Sequence, residues 1–203
     1  MHLHCRPIHF YNKFFLENNG ILRTSKAIEY GIDLHTIADM VNAGLLVKEA
    51  RGIYRLASLP PLSNPDLVQV ALRVPQSVIC LISALSYYHI TTQTPYQIYI
   101  AIPQNTKKPR IDYPPIEVVK LTGDAFSSGI QENLIDGVSI RIYNKEKTVA
   151  DCFKFRNKIG LDIAIEALKD YLREPRRDIE KLIYYARICR VEKILRPYIE
   201  ASL

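Results

Sequence analysis

Residues 33–56 read Asp33-Leu-His-Thr-Ile-Ala-Asp-Met-Val-Asn-Ala-Gly44 and then Leu45-Leu-Val-Lys-Glu-Ala-Arg-Gly-Ile-Tyr-Arg-Leu56. The first half is a helix bounded at both ends. A carboxylate at Asp33 can accept the free N–H groups of a first turn, and Gly44 supplies the left-handed residue on which helices stop. Leu34, Ile37, Ala38 and Val41 recur at helical spacing and are assigned to the inward face. His35, Thr36, Asp39 and Asn42 then occupy the opposite, solvent face. The second half is two apolar-rich strands, 45–49 and 53–56, around Ala50-Arg51-Gly52, which predicts a hairpin.

Working outward, residues 9–18 place Phe10, Phe14, Phe15 and Leu16 near one helical stripe, and Asn18-Asn19-Gly20 ends it. Ile21-Leu22 is a short extended link. Thr24-Ser25 is expected to cap a helix running to about Tyr30, with Gly31 as its stop. Helix, helix, helix, hairpin is the order of a winged helix-turn-helix, predicted here over 1–60. The helix at about 34–43 has the size and the short polar side chains of a recognition helix for the DNA major groove. Arg23, Thr24, Ser25 and Lys26 open the preceding helix, where free N–H groups favour a phosphate. Lys48, Arg51 and Arg55 on the hairpin are placed as a wing needs them to reach backbone or minor groove.

Leu59-Pro-Pro-Leu-Ser-Asn-Pro65 forbids continuous helix and is read as the boundary to a larger domain over 65–203. Helices are expected at 65–73 and 76–89, the second strongly apolar through Val78, Leu81, Ile82, Leu85 and Tyr88. Tyr96–Ile102 alternates as a strand, and 116–121 is another. Residues 130–143 form a hairpin about Asp136-Gly137, a type I′ signal. Helices follow at about 145–157, 161–173, 178–189 and 191–200. Strands and then helices in blocks predict α+β, with a mixed or antiparallel sheet and C-terminal helices.

Composition bounds the function. Hydrophobic residues are 48% of the chain, enough for a core throughout, and the net charge of +6 permits nucleic acid without requiring it. Residues 145–203 hold 14 Lys and Arg against 10 Asp and Glu, so no segment is a polybasic tail. Lys107-Lys108-Pro-Arg110 and Arg173-Glu-Pro-Arg-Arg177 read as solvated turns, with a second DNA-backbone contact or partner docking as the alternative. Cys5, Cys80, Cys152 and Cys189 lack the spacing of a zinc site, and Cys80 and Cys152 are expected as buried thiols. No apolar run approaches the roughly 18 residues of a membrane span, so the chain is placed in the cytoplasm. No catalytic set, metal or cofactor is assigned. The histidines are His2, His4, His9, His35 and His89, and His2-x-His4-Cys5 is the one arrangement with metal-ligand character. Tyr87-Tyr88-His89 is read as a possible buried polar cluster, and Asp151 as a helix-surface or packing acid. Glu117 and Lys120 would point to opposite faces of a strand, which is wrong for a nuclease site.

Phe15-Leu-Glu-Asn-Asn-Gly-Ile-Leu-Arg-Thr-Ser-Lys-Ala27 and the Gly44–Leu56 stretch resemble the N-terminal domain of AbiEi-type antitoxins, with Arg51-Gly-Ile-Tyr-Arg-Leu56 the most distinctive part. Ser83-Ala-Leu-Ser-Tyr-Tyr-His89 and Lys147-Thr-Val-Ala-Asp-Cys-Phe-Lys-Phe-Arg156 resemble that family's C-terminal region. The resemblance implies a regulator that represses its own operon at promoter repeats and counteracts a nucleotidyltransferase-like toxin, often without a stable complex, in abortive phage defence. It carries DNA contact over to Thr24, Ser25, Lys26, Lys48, Arg51 and Arg55, and antitoxic action to the C-terminal domain. Repeated half-sites imply two molecules per operator, either a dimer or monomers pairing on DNA. The alternative is a winged-helix regulator with no toxin partner, whose second domain serves dimerisation or effector binding.

Overall fold

The computed structural model describes residues 8–202. The chain divides into two compact units: residues up to Leu72 together with Leu134–Ser139, and Arg73–Asn133 together with Ile140 onward.

In the first unit a 3-10 turn (Ile8–Tyr11) leads into α1 (Asn12–Leu16), β1 (Ile21–Arg23), α2 (Thr24–Glu29) and α3 (Leu34–Asn42). The hairpin β2 (Leu46–Ala50) and β3 (Ile53–Leu56) follows, and α4 (Pro65–Arg73) runs to the unit boundary. The strands form an antiparallel sheet in the order β1-β3-β2. Phe15, Leu22, Ala27, Ile32, Ile37, Met40, Leu46 and Leu56 make its core. Three expectations change here. The inward stripe of α3 is Ile37, Met40 and Val41, while Leu34 is 62% exposed and Ala38 faces solvent. At 3.6 residues per turn the pair i+3 and i+4 from Ile37 defines the stripe, and Leu34 and Ala38 fall to its edge. Leu16 is likewise exposed at 63%. Thr24-Ser25 does not cap α2: Arg23 holds the cap position without a side-chain bond, and Thr24 N–H donates instead to the Gly52 carbonyl at 2.9 Å. That bond joins the first residue of α2 to the hairpin turn, and because the helix already begins at Thr24 the cap position falls one residue earlier, on Arg23.

The segment Leu134–Ser139 contains the Asp136-Gly137 turn, with φ of 49° and 79° as the type I′ form requires. The Asp136 carboxylate accepts from Ser63 N at 2.8 Å and from Ser63 Oγ at 3.0 Å. Asn19 Nδ2 donates to the Gly137 carbonyl at 2.8 Å.

The second unit contains β4 (Val78–Ile79), α5 (Leu81–Tyr87), β5 (Ile98–Pro103), β6 (Ile116–Leu121) and α6 (Asp124–Ser127). After them come β7 (Ile130–Ile135) and β8 (Val138–Tyr143), except for their ends next to the turn, which fall in Leu134–Ser139, and then α7 (Lys145–Lys154), α8 (Arg156–Ile159), α9 (Leu161–Arg173), α10 (Ile179–Ile188) and α11 (Glu192–Glu200). The sheet order is β6-β5-β4-β8-β7. β5 runs parallel to β6 and antiparallel to β4, and β4 runs parallel to β8, so the sheet is mixed and the class is α+β. The expected helix over 76–89 is replaced by β4 and the shorter α5. Val78-Ile79 takes the centre of the sheet, the chain turns through Leu81 at φ 48°, and Ser83 Oγ accepts from Tyr99 N at 2.9 Å. A short apolar run fits a buried strand and a buried helix equally well by period alone.

α7 is enclosed: Glu146 through Phe153 are all buried. Asn144 caps it, accepting from Lys147 N at 2.8 Å and donating from Nδ2 to the Tyr185 hydroxyl at 2.9 Å. Lys147 and Asp151, 0% and 1% exposed, are ion-paired at 2.5 Å, and the ammonium also lies 4.2 Å from the centre of the Tyr143 ring. The Cys189 thiol donates to Asp151 Oδ1 at 3.1 Å. Asp151 is therefore a packing acid and not a surface one. Cys80, Cys152 and Cys189 are buried and free. Burial first, and the Asp151 carboxylate second, push Cys80 and Cys152 well up and Cys189 up to about 12, which keeps them as thiols.

Candidate nucleic-acid interface

The polar residues singled out in the first unit divide by what surrounds them. On α3, His35 and Asn42 are exposed and Asp39 is half-buried; His35 Nδ1 lies 3.8 Å from Asp39 Oδ1 across one turn. Thr36 sits at the edge of that face, half-buried, and its N–H is taken by Asp33 Oδ1 at 2.7 Å. This bond holds the Asp33 carboxyl below its ordinary range and fixes the start of α3. α3 packs against β2, so its outer face and the hairpin belong to one surface-building set of elements.

At the hairpin, Lys48 and Arg51 are exposed, and a register shift between Lys48 and Ala50 marks a bulge just before the turn. The Thr24–Gly52 bond brings the opening of α2 to this turn. Gly52 is at φ 73°, and a β-carbon there would meet Thr24 Oγ1 at 3.3 Å, so a glycine suits both the turn and the approach. Ser25 and Lys26 are exposed beside it. Lys26 Nζ is paired with Glu29 at 2.7 Å and lies 5.2 Å from the Tyr30 ring centre. Glu29 is exposed, and an incoming phosphate can replace it, since such exposed pairs contribute little in water.

Two assigned residues do not reach this surface. Arg55 is 6% exposed; its Nε donates to Glu49 Oε1 at 2.5 Å and its Nη1 to the carbonyls of Leu56 and Leu59. It secures the hairpin and the chain after it, and its burial keeps the guanidinium from the surface that would meet DNA. Strand alternation accounts for this, because Ile53 and Arg55 share the inward face of β3. Arg23 is half-buried, with Nη1 donating to the Leu72 carbonyl at 2.8 Å, so it ties β1 to the end of α4. The surface that remains is Ser25, Lys26, Lys48 and Arg51 around the hairpin turn, beside a half-buried Thr24 whose N–H is taken by the Gly52 carbonyl, with His35, Thr36, Asp39 and Asn42 on α3.

Residues 9–57 match the family model described as the AbiEi antitoxin, a transcriptional regulator. The match takes in the helices and the hairpin just described and stops at Ala57, before the proline-rich stretch. Over these residues the AbiEi resemblance read in the sequence is met. The match does not extend to Ser83–His89 or Lys147–Arg156, the other stretches that carried the AbiEi resemblance. No curated protein matches the chain significantly. Among solved structures the chain is similar to the RV2827C protein from Mycobacterium tuberculosis, with a TM-score of 0.52 and 13% identity over 94% of this chain and 79% of that one. At that identity the likeness is one of fold.

The remaining candidates lead elsewhere. His89 is exposed in a left-handed conformation after α5, so no buried Tyr-Tyr-His cluster forms; Tyr88 instead donates to Gln131 Oε1 at 3.1 Å. Glu117 is paired with Lys158. Among the described residues no three His, Cys, Asp or Glu side chains group so as to hold a metal ion, and His2-x-His4-Cys5 lies outside those residues. No helix among the described residues is long and apolar enough to cross a membrane. Lys107, Lys108, Arg110, Arg176 and Arg177 are exposed. The buried Lys147–Asp151 pair was missed in the sequence, although Lys-x-x-x-Asp inside an apolar run was its visible sign.

Proposed function

We propose that the first unit is a winged helix-turn-helix that binds double-stranded DNA, and that the chain is a transcriptional autorepressor and antitoxin acting in the cytoplasm at its own promoter. The match of residues 9–57 to antitoxin regulators carries this reading, because the same residues build the helix pair and hairpin that DNA recognition needs. In it α3 is the recognition helix. His35 and Asn42 face base edges, Asp39 accepts from a cytosine amine, and Thr36 reaches the backbone at the groove edge. Ser25 and Lys26 hold a phosphate, and Lys48 and Arg51 form the wing contact. Two molecules occupy repeated half-sites, as a dimer or as monomers that pair on DNA. Following the AbiEi resemblance, the second unit opposes a nucleotidyltransferase-like toxin without a stable complex, in phage defence and without an enzymatic activity of its own.

A gel-shift titration on the upstream promoter, wild type beside Arg51→Ala at two salt concentrations, tests the DNA reading. Salt-sensitive binding that weakens in the variant supports it; no shift above non-specific competitor ends it and leaves the first unit a protein-interaction module. The family match stops at residue 57, which favours a second reading of the rest: a regulator without a toxin, whose second unit dimerises or takes an effector. Co-expression with the product of the adjacent downstream gene separates the two. Rescue of growth by this chain supports the antitoxin, and growth unaffected by that product alone supports the second reading.

A further inference from the structure

We infer that the second unit holds a site for a small phosphorylated ligand bearing hydroxyl groups, the chemistry of a sugar phosphate, in a cleft of about 380 Å³ lined by Thr122–Ala125, Lys154, Ile188 and Arg190. Three separate elements converge there: the turn from β6 into α6, the last turn of α7, and the turn from α10 to α11. The volume falls in the range of small-molecule sites. The inference stands apart from the DNA-binding reading and uses none of its residues.

Two cations face this cleft without an acid to satisfy them. Several basic side chains of the unit are engaged instead, Lys145 with Glu174, Lys158 with Glu117, Lys181 with Glu146, and Arg187 and Arg196 with Glu192, whereas others such as Lys107 and Lys108 stand in exposed loops away from any such cleft. Among the described residues neither Lys154 nor Arg190 has a side-chain hydrogen bond or ion pair, and Asp124 on the same wall is not within ion-pairing distance of either.

Arg190 also occupies a backbone position that disfavours it. It closes α10 at φ 60°, with its N–H on the Arg187 carbonyl at 3.0 Å and Val191 N on the Ala186 carbonyl at 2.8 Å. That is the left-handed residue of a Schellman-type ending, where glycine is the unstrained choice. An arginine held there against its backbone preference, with its guanidinium on a polar cleft, points to a use for the cation. Offsetting the helix dipoles of α7 and α10 needs basic residues in their last turns, but not two on one cleft.

The chemistry follows from the lining. A phosphate dianion between the Lys154 ammonium and the Arg190 guanidinium receives charge-assisted hydrogen bonds, and the Thr122 hydroxyl can add a neutral one. The Asp124 carboxylate would repel a bare anion, so the ligand must also bring a donor, and a sugar hydroxyl provides it.

Calorimetric titration of the full chain with ribose 5-phosphate, inorganic phosphate and ribose tests the site. Saturable binding is expected for ribose 5-phosphate, weaker binding for phosphate, and none for ribose. Arg190→Gly should lower affinity for ribose 5-phosphate by about tenfold or more while melting no lower than wild type, because glycine adopts this backbone without strain. Lys154→Met should lose a similar factor, and Asp124→Asn should narrow the preference for ribose 5-phosphate over phosphate. Absence of saturable binding by both phosphates, or full affinity in Arg190→Gly, overturns the proposal. The same variants on duplex DNA distinguish the source of the phosphate. A reduced salt slope there, with no small-ligand binding in the wild type, would make the cleft a DNA-backbone contact and end the small-ligand site.

Discussion

Arg51 and Arg55 stand on the same hairpin, yet one is exposed and the other is 6% exposed with its donors placed on Glu49 and two carbonyls. Arg55→Ala would leave the Glu49 carboxylate without its partner, at a cost of about 3 kcal/mol. Arg51→Ala should stay within about 0.5 kcal/mol of wild type. Urea denaturation measures both, and the order should reverse in the gel shift, where Arg51→Ala is the damaging change. Equal stability in the two variants would contradict the internal role of Arg55. The Lys147–Asp151 pair follows the same logic at greater depth. Lys147→Met or Asp151→Leu alone should destabilise by about 3–5 kcal/mol, since each strands a buried charge. The double variant should recover most of that loss, and simple addition of the two costs would count against a coupled pair. Residue type was readable in the sequence for both pairs. Burial was not, because Arg and Lys take either environment depending on which neighbour supplies an acceptor.

At the level of elements, caps decide where the functional helices begin. Asn144 starts α7 and is itself buried, bonded to Lys147 N and the Tyr185 hydroxyl, so Asn144→Ala should cost about 2 kcal/mol in thermal or urea unfolding. Asp33 starts α3 through Thr36 N. Its carboxyl is depressed, so the cap is fully present above the ordinary carboxylate range and is lost as pH falls through that range and the lower folded value. Hydrogen exchange at the Thr36 amide, corrected for intrinsic rate, should therefore show less protection in acid. Asp33→Asn, an equally good cap that does not titrate, should remove that dependence. The cap Asp33, the Asp136-Gly137 turn and the helix α9 follow local rules and are legible in the chain. The strand β4 is not, because Val78-Ile79 becomes a strand only through pairing with Ala101, Ile100 and Ile142. Thr24 likewise leaves its expected capping role because α2 already starts at it, where its N–H pairs with the Gly52 carbonyl across the hairpin.

For the whole molecule, the net charge of +6 is spread without a basic tail, so DNA affinity in the proposed reading must come from a few placed cations. Lys48→Ala and Arg51→Ala should each lower the slope of log affinity against log salt by about one. His35→Ala and Asn42→Ala should instead erode discrimination between operator and competitor while leaving the slope nearly unchanged. A filter-binding series across salt checks both, and a slope unaltered by the hairpin variants would remove them from the backbone.

The amino-acid sequence by itself determined the α+β class, the helix–helix–hairpin order of the first 60 residues and the similarity to AbiEi regulators. Those depend on apolar period, cap and turn residues, which act between neighbours along the chain. Tertiary structure alone decided which polar side chains remain for a partner. It drew Arg55 and Arg23 inward onto carbonyls, turned Met40 in and Leu34 out, and placed Lys154 and Arg190 on one cleft. The physical reason is that a buried donor or acceptor takes whichever partner the fold brings within about 3 Å, and that partner is often remote in sequence.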